Sequence, residues 1–143
     1  MRELEGVTPP EVAELISDVI KDKVVCDVGC GEGTFMEALE RNGAKKCIGI
    51  EEEKEWAVTA ADKGFSIFLG SSWFQPLPEA DVYWLWTRDA MGVYLKAKEE
   101  GTKGTFVFGH TVRKSLSNFL NSIEGERRDL PNSDWWVKIV EIK

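Results

Sequence analysis

A chain of 143 residues with 43% apolar and 30% charged residues is expected to form one soluble globular domain with a real core, spanning residues 1–143. Its net charge of −7 counts against a duplex nucleic-acid partner, because such binding draws much of its affinity from phosphate neutralisation. No apolar run approaches the ~18 residues of a membrane span, and the opening MRELEGVTPPEV has no signal-like apolar region, so no membrane association and a cytoplasmic location are expected.

The elements alternate with short connections. Thr8-Pro9 reads as an N-cap followed by proline in a first helical turn, and Val12, Leu15, Ile16, Val19 and Ile20 carry one amphipathic helix to about Lys21. Val24–Val28 is the first strand. Phe35, Met36 and Leu39 mark a second helix that stops near Gly43. CIGIE, Cys47 to Glu51, is the second strand; a helix around Trp56–Ala61 ends at Gly64, and FSIFLG, Phe65 to Gly70, is the third strand. DVYWLW, Asp81 to Trp86, is the fourth. A helix marked by Met91, Tyr94 and Leu95 follows, then TFVFG, Thr105 to Gly109, as the fifth strand. Val112, Leu116, Phe119, Leu120 and Ile123 share a face of another helix. Glu124–Asp134 reads as a mobile polar loop, and Trp136, Ile139 and Ile142 suggest a last strand at a sheet edge. This alternation, with near-continuous apolar strands, predicts a doubly wound, mostly parallel sheet of about six strands with helices on both faces.

The cysteines, Cys26, Cys30 and Cys47, are odd in number and fall on or beside inner strands, which suits buried thiols better than disulfides. A C-x-x-x-C spacing and one histidine give no expectation of a metal site. The basic residues come in small groups, as at Lys96, Lys98 and Lys103 or at Arg127 and Arg128, and read as solvated faces. A basic protein segment would be an electrostatically easier partner.

The stretch VVCDVGCGEG leads a strand into glycines at positions 29, 31 and 33. In a doubly wound sheet this turn lies where ligands bind, and glycine lets a ligand approach the main chain. Glu51 ends the second strand 22 positions after Gly29, where an acid can accept hydrogen bonds from a ribose. The third glycine comes one residue too early for a dinucleotide fingerprint. The carboxylates Asp27 and Glu32 suit a ligand with cationic groups better than a pyrophosphate; S-adenosylmethionine, with its ammonium and sulfonium, has such groups.

VVCDVGCGEGTF followed by IGIEEE resembles the first two motifs of class I S-adenosylmethionine-dependent methyltransferases, over the first half of the chain. The resemblance implies a Rossmann-like sheet and S-adenosylmethionine as cofactor. Asp27, Cys30 and the backbone of Gly29, Gly31 and Gly33 would hold the methionine part, Glu51 the ribose hydroxyls, and Glu52 would lie beside the adenine. After the third strand many relatives carry an acid near the adenine; here Ser71 and Ser72 stand there. VTPPEVAELI, LGSSWFQPLPEADVYWLW and GTFVFGH are similar to small archaeal-type protein-lysine methyltransferases, which implies a protein substrate and places Thr8 and Pro9 near the cofactor.

Methyl transfer from a sulfonium needs positioning more than acid–base chemistry. Trp86-Thr87-Arg88-Asp89, after the fourth strand, should face the methyl group. It lacks the proline-rich tetrad of amino-adenine methyltransferases, which again disfavours nucleic acid. Trp86 is a wall, a cation–π cradle or a core aromatic. Thr87 bonds an acceptor or caps the next helix, and Asp89 faces an acceptor's charge or the helix dipole. His110 touches substrate or is structural. Of Trp73 and the pair Trp135-Trp136, some face substrate and some are core. Glu51→Ala is expected to weaken cofactor binding and leave the fold intact. A small-metabolite methyltransferase and a silent cofactor-binding module are the alternatives, a dehydrogenase the weakest one; the chain would act as a monomer or a homodimer.

Overall fold

The computed structural model describes residues 8–71, 76–87, 89–110 and 114–143, the side chains of Lys114 and Ser115 excepted. Ser72, Trp73, Arg88 and Val112 lie outside the described residues. Among the described residues seven strands form one sheet: β1 (Val24–Val28), β2 (Lys46–Glu51), β3 (Ser66–Leu69), β4 (Val82–Leu85), β5 (Gly104–His110), β6 (Glu126–Asp129) and β7 (Trp136–Ile142). Their order is β3–β2–β1–β4–β5–β7–β6, parallel except for β7, which runs antiparallel to both neighbours. The central strands are buried on both faces: all of Val82–Leu85 is enclosed, and Val25 and Cys26 are fully buried. This is the requirement of a sheet covered by helices on each side.

One face packs α1 (Pro10–Leu15), α2 (Ser17–Ile20) and α3 (Thr34–Arg41) over Val25, Trp84, Val107 and Val137. Ala60 of α4 (Lys54–Asp62) joins the same cluster. The other face packs α5 (Ala90–Glu99) and α6 (Lys114–Ser122) over Tyr83, Phe106, Phe108 and Trp136. Tyr83 stacks on Phe106 at 4.8 Å, and Tyr94 meets both Phe106 and Phe108 edge-on. Among the described residues, no helix is long and apolar enough to cross a membrane.

Four expectations are corrected. The stretch Glu124–Asp134 is not all loop, because Glu126–Asp129 pairs with β7 and completes the seven strands found among the described residues. Consequently β7 is internal, between β5 and β6, and not an edge strand. The first helix is broken: Ile16 leaves helical geometry, with φ −110° and ψ 15°, and Val19 donates to the Ile16 carbonyl at 2.9 Å, not to that of Leu15. Arg128 of β6 takes the freed Leu15 carbonyl at 2.9 Å while pairing with Asp18 and Glu126. Finally, Thr8 does not cap this helix; Pro9 precedes its first residue, without a side-chain cap bond.

The topology locates the site. From β1 the chain steps outward to β2 and β3, then crosses back to β4 on the other side of β1. The carboxyl ends of β1 and β4 therefore flank the point where strand order reverses, the crevice in which such sheets bind ligands. The foot of α2 is tied to the foot of α3 by a Lys21–Ala44 bridge and by Asp22 N–H to Gly43 C=O at 2.9 Å. With α1 packed on α3, both helices descend from the carboxyl edge, and Thr8, 5% exposed, sits at that upper end.

Candidate functional site

The three loop glycines have different tasks. Gly29 (φ +83°) leaves β1, and a Cβ there would stand 2.7 Å from the Thr87 methyl at the exit of β4. Gly33 (φ +88°) precedes α3, where a Cβ would press on Phe65 and Ala60 at 3.2–3.3 Å. Gly31 (φ +58°) borders open space: a Cβ there would have nothing within 4 Å. Positive φ explains the glycines in each case, but only Gly29 and Gly33 are also fixed by packing.

Backbone polarity in this loop is turned inward. Gly29 and Cys30 N–H both donate to the Ile50 carbonyl, at 2.8 and 3.0 Å, and Gly33 N–H donates to Cys30 C=O at 3.1 Å. Gly31 N–H donates to Glu51 Oε1 at 2.8 Å. A phosphate cradle depends on free N–H groups converging on an anion. Here the amides of all three glycines and of Cys30 are already used, and the carboxylates Asp27 (3% exposed) and Glu51 (1% exposed) stand beside them.

Glu51 does more than end β2. Its second oxygen accepts the Glu53 N–H at 2.9 Å, so one carboxylate clasps the glycine loop and the start of α4. Glu51→Ala would therefore remove two bonds of the protein itself as well as any ligand contact. Cys30 spends its polar groups within the protein: besides the bonds to Ile50 of β2 and to Gly33, its thiol leans on the Gly31 carbonyl at 3.6 Å. Its Sγ would lie 2.5 Å from a Cβ on Gly49, so Gly49 of β2 is the seat of this side chain. Burial pushes the thiols of Cys26, Cys30 and Cys47 well up, with the Asp27 charge adding to it in each.

Glu52 is exposed just past β2, and Ser71 is half-buried after β3, where Gly70 N–H donates to Glu51 C=O at 3.0 Å. Beyond β4, Trp86 is half-buried and meets Trp135 at 4.8 Å with a 55° tilt. Trp135 also lies over Gly109, whose missing side chain leaves room for Trp84 and Trp135. Asp89 is exposed at the position before α5 and makes no side-chain cap bond. Thr87 does not cap α5 with its side chain either: its carbonyl accepts the Ala90 N–H at 3.3 Å, and its hydroxyl oxygen, shut away from solvent, has no partner among the described residues.

The structure separates His110 from this group. It is 5% exposed, and its ring lies 4.4 Å from Trp136 on the face covered by α5 and α6, whereas Trp86 and Trp135 pack on the opposite face. Arg127 lies over Trp136 at 4.0 Å, which makes Trp136 the middle of a stacked row and a core residue. Trp135 was only one of several aromatic candidates in the sequence. Its neighbour Trp136 points the other way because successive strand residues alternate faces.

No family model and no curated protein sequence matches the chain. Several solved structures share its fold. An RNA methyltransferase from Salinibacter ruber, crystallised with S-adenosyl-L-homocysteine, is 17% identical; the match covers 96% of this chain and 94% of that one, with a TM-score of 0.75. The C-terminal domain of precorrin-6Y C5,15-methyltransferase from Rhodobacter capsulatus is 13% identical over 96% of this chain and 92% of that one, TM-score 0.69. A Pyrococcus horikoshii protein provisionally called an RNA methyltransferase is 23% identical over 77% of this chain, TM-score 0.62, and this chain spans 62% of its length. Together they define the fold as that of the class I, Rossmann-like S-adenosylmethionine-dependent methyltransferases.

Proposed function

We propose that this chain binds S-adenosylmethionine at the β1–β4 crevice and transfers its methyl group to an amine nitrogen, that of a protein lysine. The observation that carries the cofactor is the inward-turned glycine loop. With the amides of Gly29, Cys30, Gly31 and Gly33 already bonded and two buried carboxylates alongside, it disfavours a pyrophosphate and suits a ligand bearing ammonium and sulfonium charges. Glu51 fits the ribose by its place: it is a buried carboxylate at the end of β2, held at the edge of the crevice by the Gly31 and Glu53 N–H groups. Gly31 leaves the space beside it open.

S-adenosylmethionine supplies an activated methyl group whose leaving group is a neutral thioether. The chain's residues have to orient an acceptor in line and keep water out. A lysine entering as an ammonium would have to give up one proton to water before attack, because only the neutral nitrogen could take the methyl group; the methylated nitrogen would again be an ammonium, and the cofactor would leave as a neutral thioether. Trp86 and Trp135 supply a half-exposed aromatic wall at the carboxyl edge, suited to an alkylammonium chain on its way in. A net charge of −7 favours a basic protein segment over RNA.

Calorimetric titration with S-adenosylmethionine and S-adenosylhomocysteine tests the cofactor, with micromolar binding expected. Incubation with labelled methyl donor and cell extract, followed by separate digestion with protease and ribonuclease, tests the acceptor. Label released by protease and found on lysine is the expected result, and label in RNA would overturn the protein-lysine reading. Cofactor binding with no S-adenosylhomocysteine formed in any extract would instead indicate a silent binding module.

A further inference from the structure

The two edges of the sheet are built differently. β6 is charged at all four positions, a common protection for a strand whose outer N–H and C=O groups face solvent. β3 carries no charge: it reads Ser66-Ile67-Phe68-Leu69, and among the described residues no strand pairs with its outer side. Exposed apolar surface gathers at this edge. Of the four large apolar side chains that stand exposed among the described residues, three belong to β3 or to α4, the helix packed on it: Val58, Phe68 and Leu69.

The outward flank of α4 can be identified from its other contacts. The helix buries Ala57 and Ala60, and Lys63, just past its end, bonds Glu37 of α3 at 2.9 Å, so the Lys63 flank faces the middle of the molecule. At about 100° per residue, Val58 stands about 140° round the helix from Lys63, with Lys54 and Asp62 one turn to either side. The row Lys54, Val58, Asp62 therefore looks away from α3, toward the side on which the sheet ends at β3. All three side chains are exposed, and neither Lys54 nor Asp62 makes an ion pair among the described residues.

We propose that a second copy of this chain docks on the β3 edge, the two β3 strands pairing antiparallel about a two-fold axis at Phe68. Their outer N–H and C=O groups then bond each other; Phe68 meets its own copy on one face of the joined sheet, and Ile67 meets Leu69 on the other. The nine residues of α4 and the four of β3 each span about 13 Å, which brings Val58, the middle of the helix, level with the middle of the strand. The same axis lays α4 antiparallel to its copy, Val58 against Val58, with Lys54 opposite Asp62 twice. This symmetry selects the occupant. Any foreign strand could use the backbone edge, but an apolar residue with a cation one turn before it and an anion one turn after it is its own complement. A four-residue strand pair alone buries too little for a stable dimer, which needs about 1,200 Å² or more, and the helix row supplies the second layer. Nothing in this inference depends on the cofactor reading.

Sedimentation velocity on about 1–100 µM chain tests it, at about 0.15 M salt, where the net charge of −7 on each copy is largely screened. Wild type should sediment as a dimer at the upper concentrations. Phe68→Glu, which sets two carboxylates against each other at the axis, should weaken the dimer at least about a hundredfold and leave a monomer with an unchanged near-UV circular dichroism spectrum. Asp62→Lys, at an exposed helix position, should weaken it about tenfold. Adding Lys54→Asp to that variant should restore the affinity to within about threefold of wild type, because the pairs re-form with their signs exchanged. A wild type still monomeric at about 100 µM overturns the proposal and leaves the edge to a strand of another protein. A dimer indifferent to Phe68→Glu lies on some other surface, and species larger than a dimer contradict a closed two-fold. Without recovery in the double variant, the helix pairing and the axis at Phe68 are wrong.

Discussion

Glu51 offers the sharpest test of how the loop is built, because its carboxylate is a structural clasp before any ligand arrives. It is 1% exposed and accepts N–H groups from Gly31 at 2.8 Å and Glu53 at 2.9 Å. Bonds to a charged acceptor contribute about 1.5–3 kcal/mol each, and truncation also strands the two donors. With some relief from water entering the gap, Glu51→Ala should cost about 3–5 kcal/mol. A domain of 143 residues melts with an entropy worth about 0.3 kcal/mol per degree, so the melting temperature should fall by about 10–17 °C. Glu51→Gln keeps one acceptor oxygen but turns an NH2 group toward the other N–H, and should lose roughly half as much. Thermal unfolding followed by near-UV circular dichroism, without ligand, gives the answer. An alanine variant melting within about 2 °C of wild type would refute the clasp. Loss of cofactor affinity in that variant does not by itself reveal a ribose contact, since a slackened loop would cause it too. A cofactor analogue without the 2′-hydroxyl isolates that contact because the loop stays intact.

Two further outcomes follow from burial and charge. The thiols of Cys26, Cys30 and Cys47 are buried and their thiolates disfavoured, so at pH 8 iodoacetamide should label the native protein at least about a hundredfold more slowly than the guanidinium-unfolded chain, which should take up three labels by mass; rapid labelling of the native protein would contradict the packing of Cys30 on Gly49. Arg128→Met should lower the melting temperature by roughly 2–5 °C at pH 7, through loss of its bond to Leu15 C=O and its pairing with Asp18 and Glu126. The hydrogen bonds from Arg128 hold both carboxyls below their ordinary values of 3.8 and 4.5. The pairing is therefore complete above those values and is lost as pH falls through the lower values of the folded protein. The gap between wild type and variant should be constant from pH 7 to about pH 5 and shrink below about pH 4; a gap that widens in acid would refute the pairing.

Strands β1 to β5 were legible because each is a short apolar run bounded by turn residues, and β1 was predicted with its observed ends, Val24–Val28. β6 was not, because all four of its residues, Glu126–Asp129, are charged. Its pattern is hidden by snorkelling. Arg128 reaches across one face to α1 and α2, and Arg127 lays its guanidinium on Trp136 on the other. The stems thus do the covering that valine or isoleucine does elsewhere. The break at Ile16 was invisible for a related reason: the group that takes the Leu15 carbonyl lies 113 residues away.

The same distinction governs the candidate site. Glycine spacing and the acid at the end of β2 are local in sequence, so the crevice could be placed from the amino-acid order alone. What fills it is not local. The spacing motif gives the three glycines one role, yet in the structure each has its own neighbour: the Thr87 methyl for Gly29, open space for Gly31, and Phe65 with Ala60 for Gly33. Gly49, outside the motif, is just as constrained, because the Cys30 thiol occupies the room its side chain would need. A glycine-rich fingerprint therefore mixes positions that keep a ligand's space open with positions that keep the protein's own side chains packed. Only Gly31 among these borders empty space, so Gly31 is where an added methyl group should reach the ligand before it reaches the protein, although its φ of +58° adds backbone strain to any substitution there.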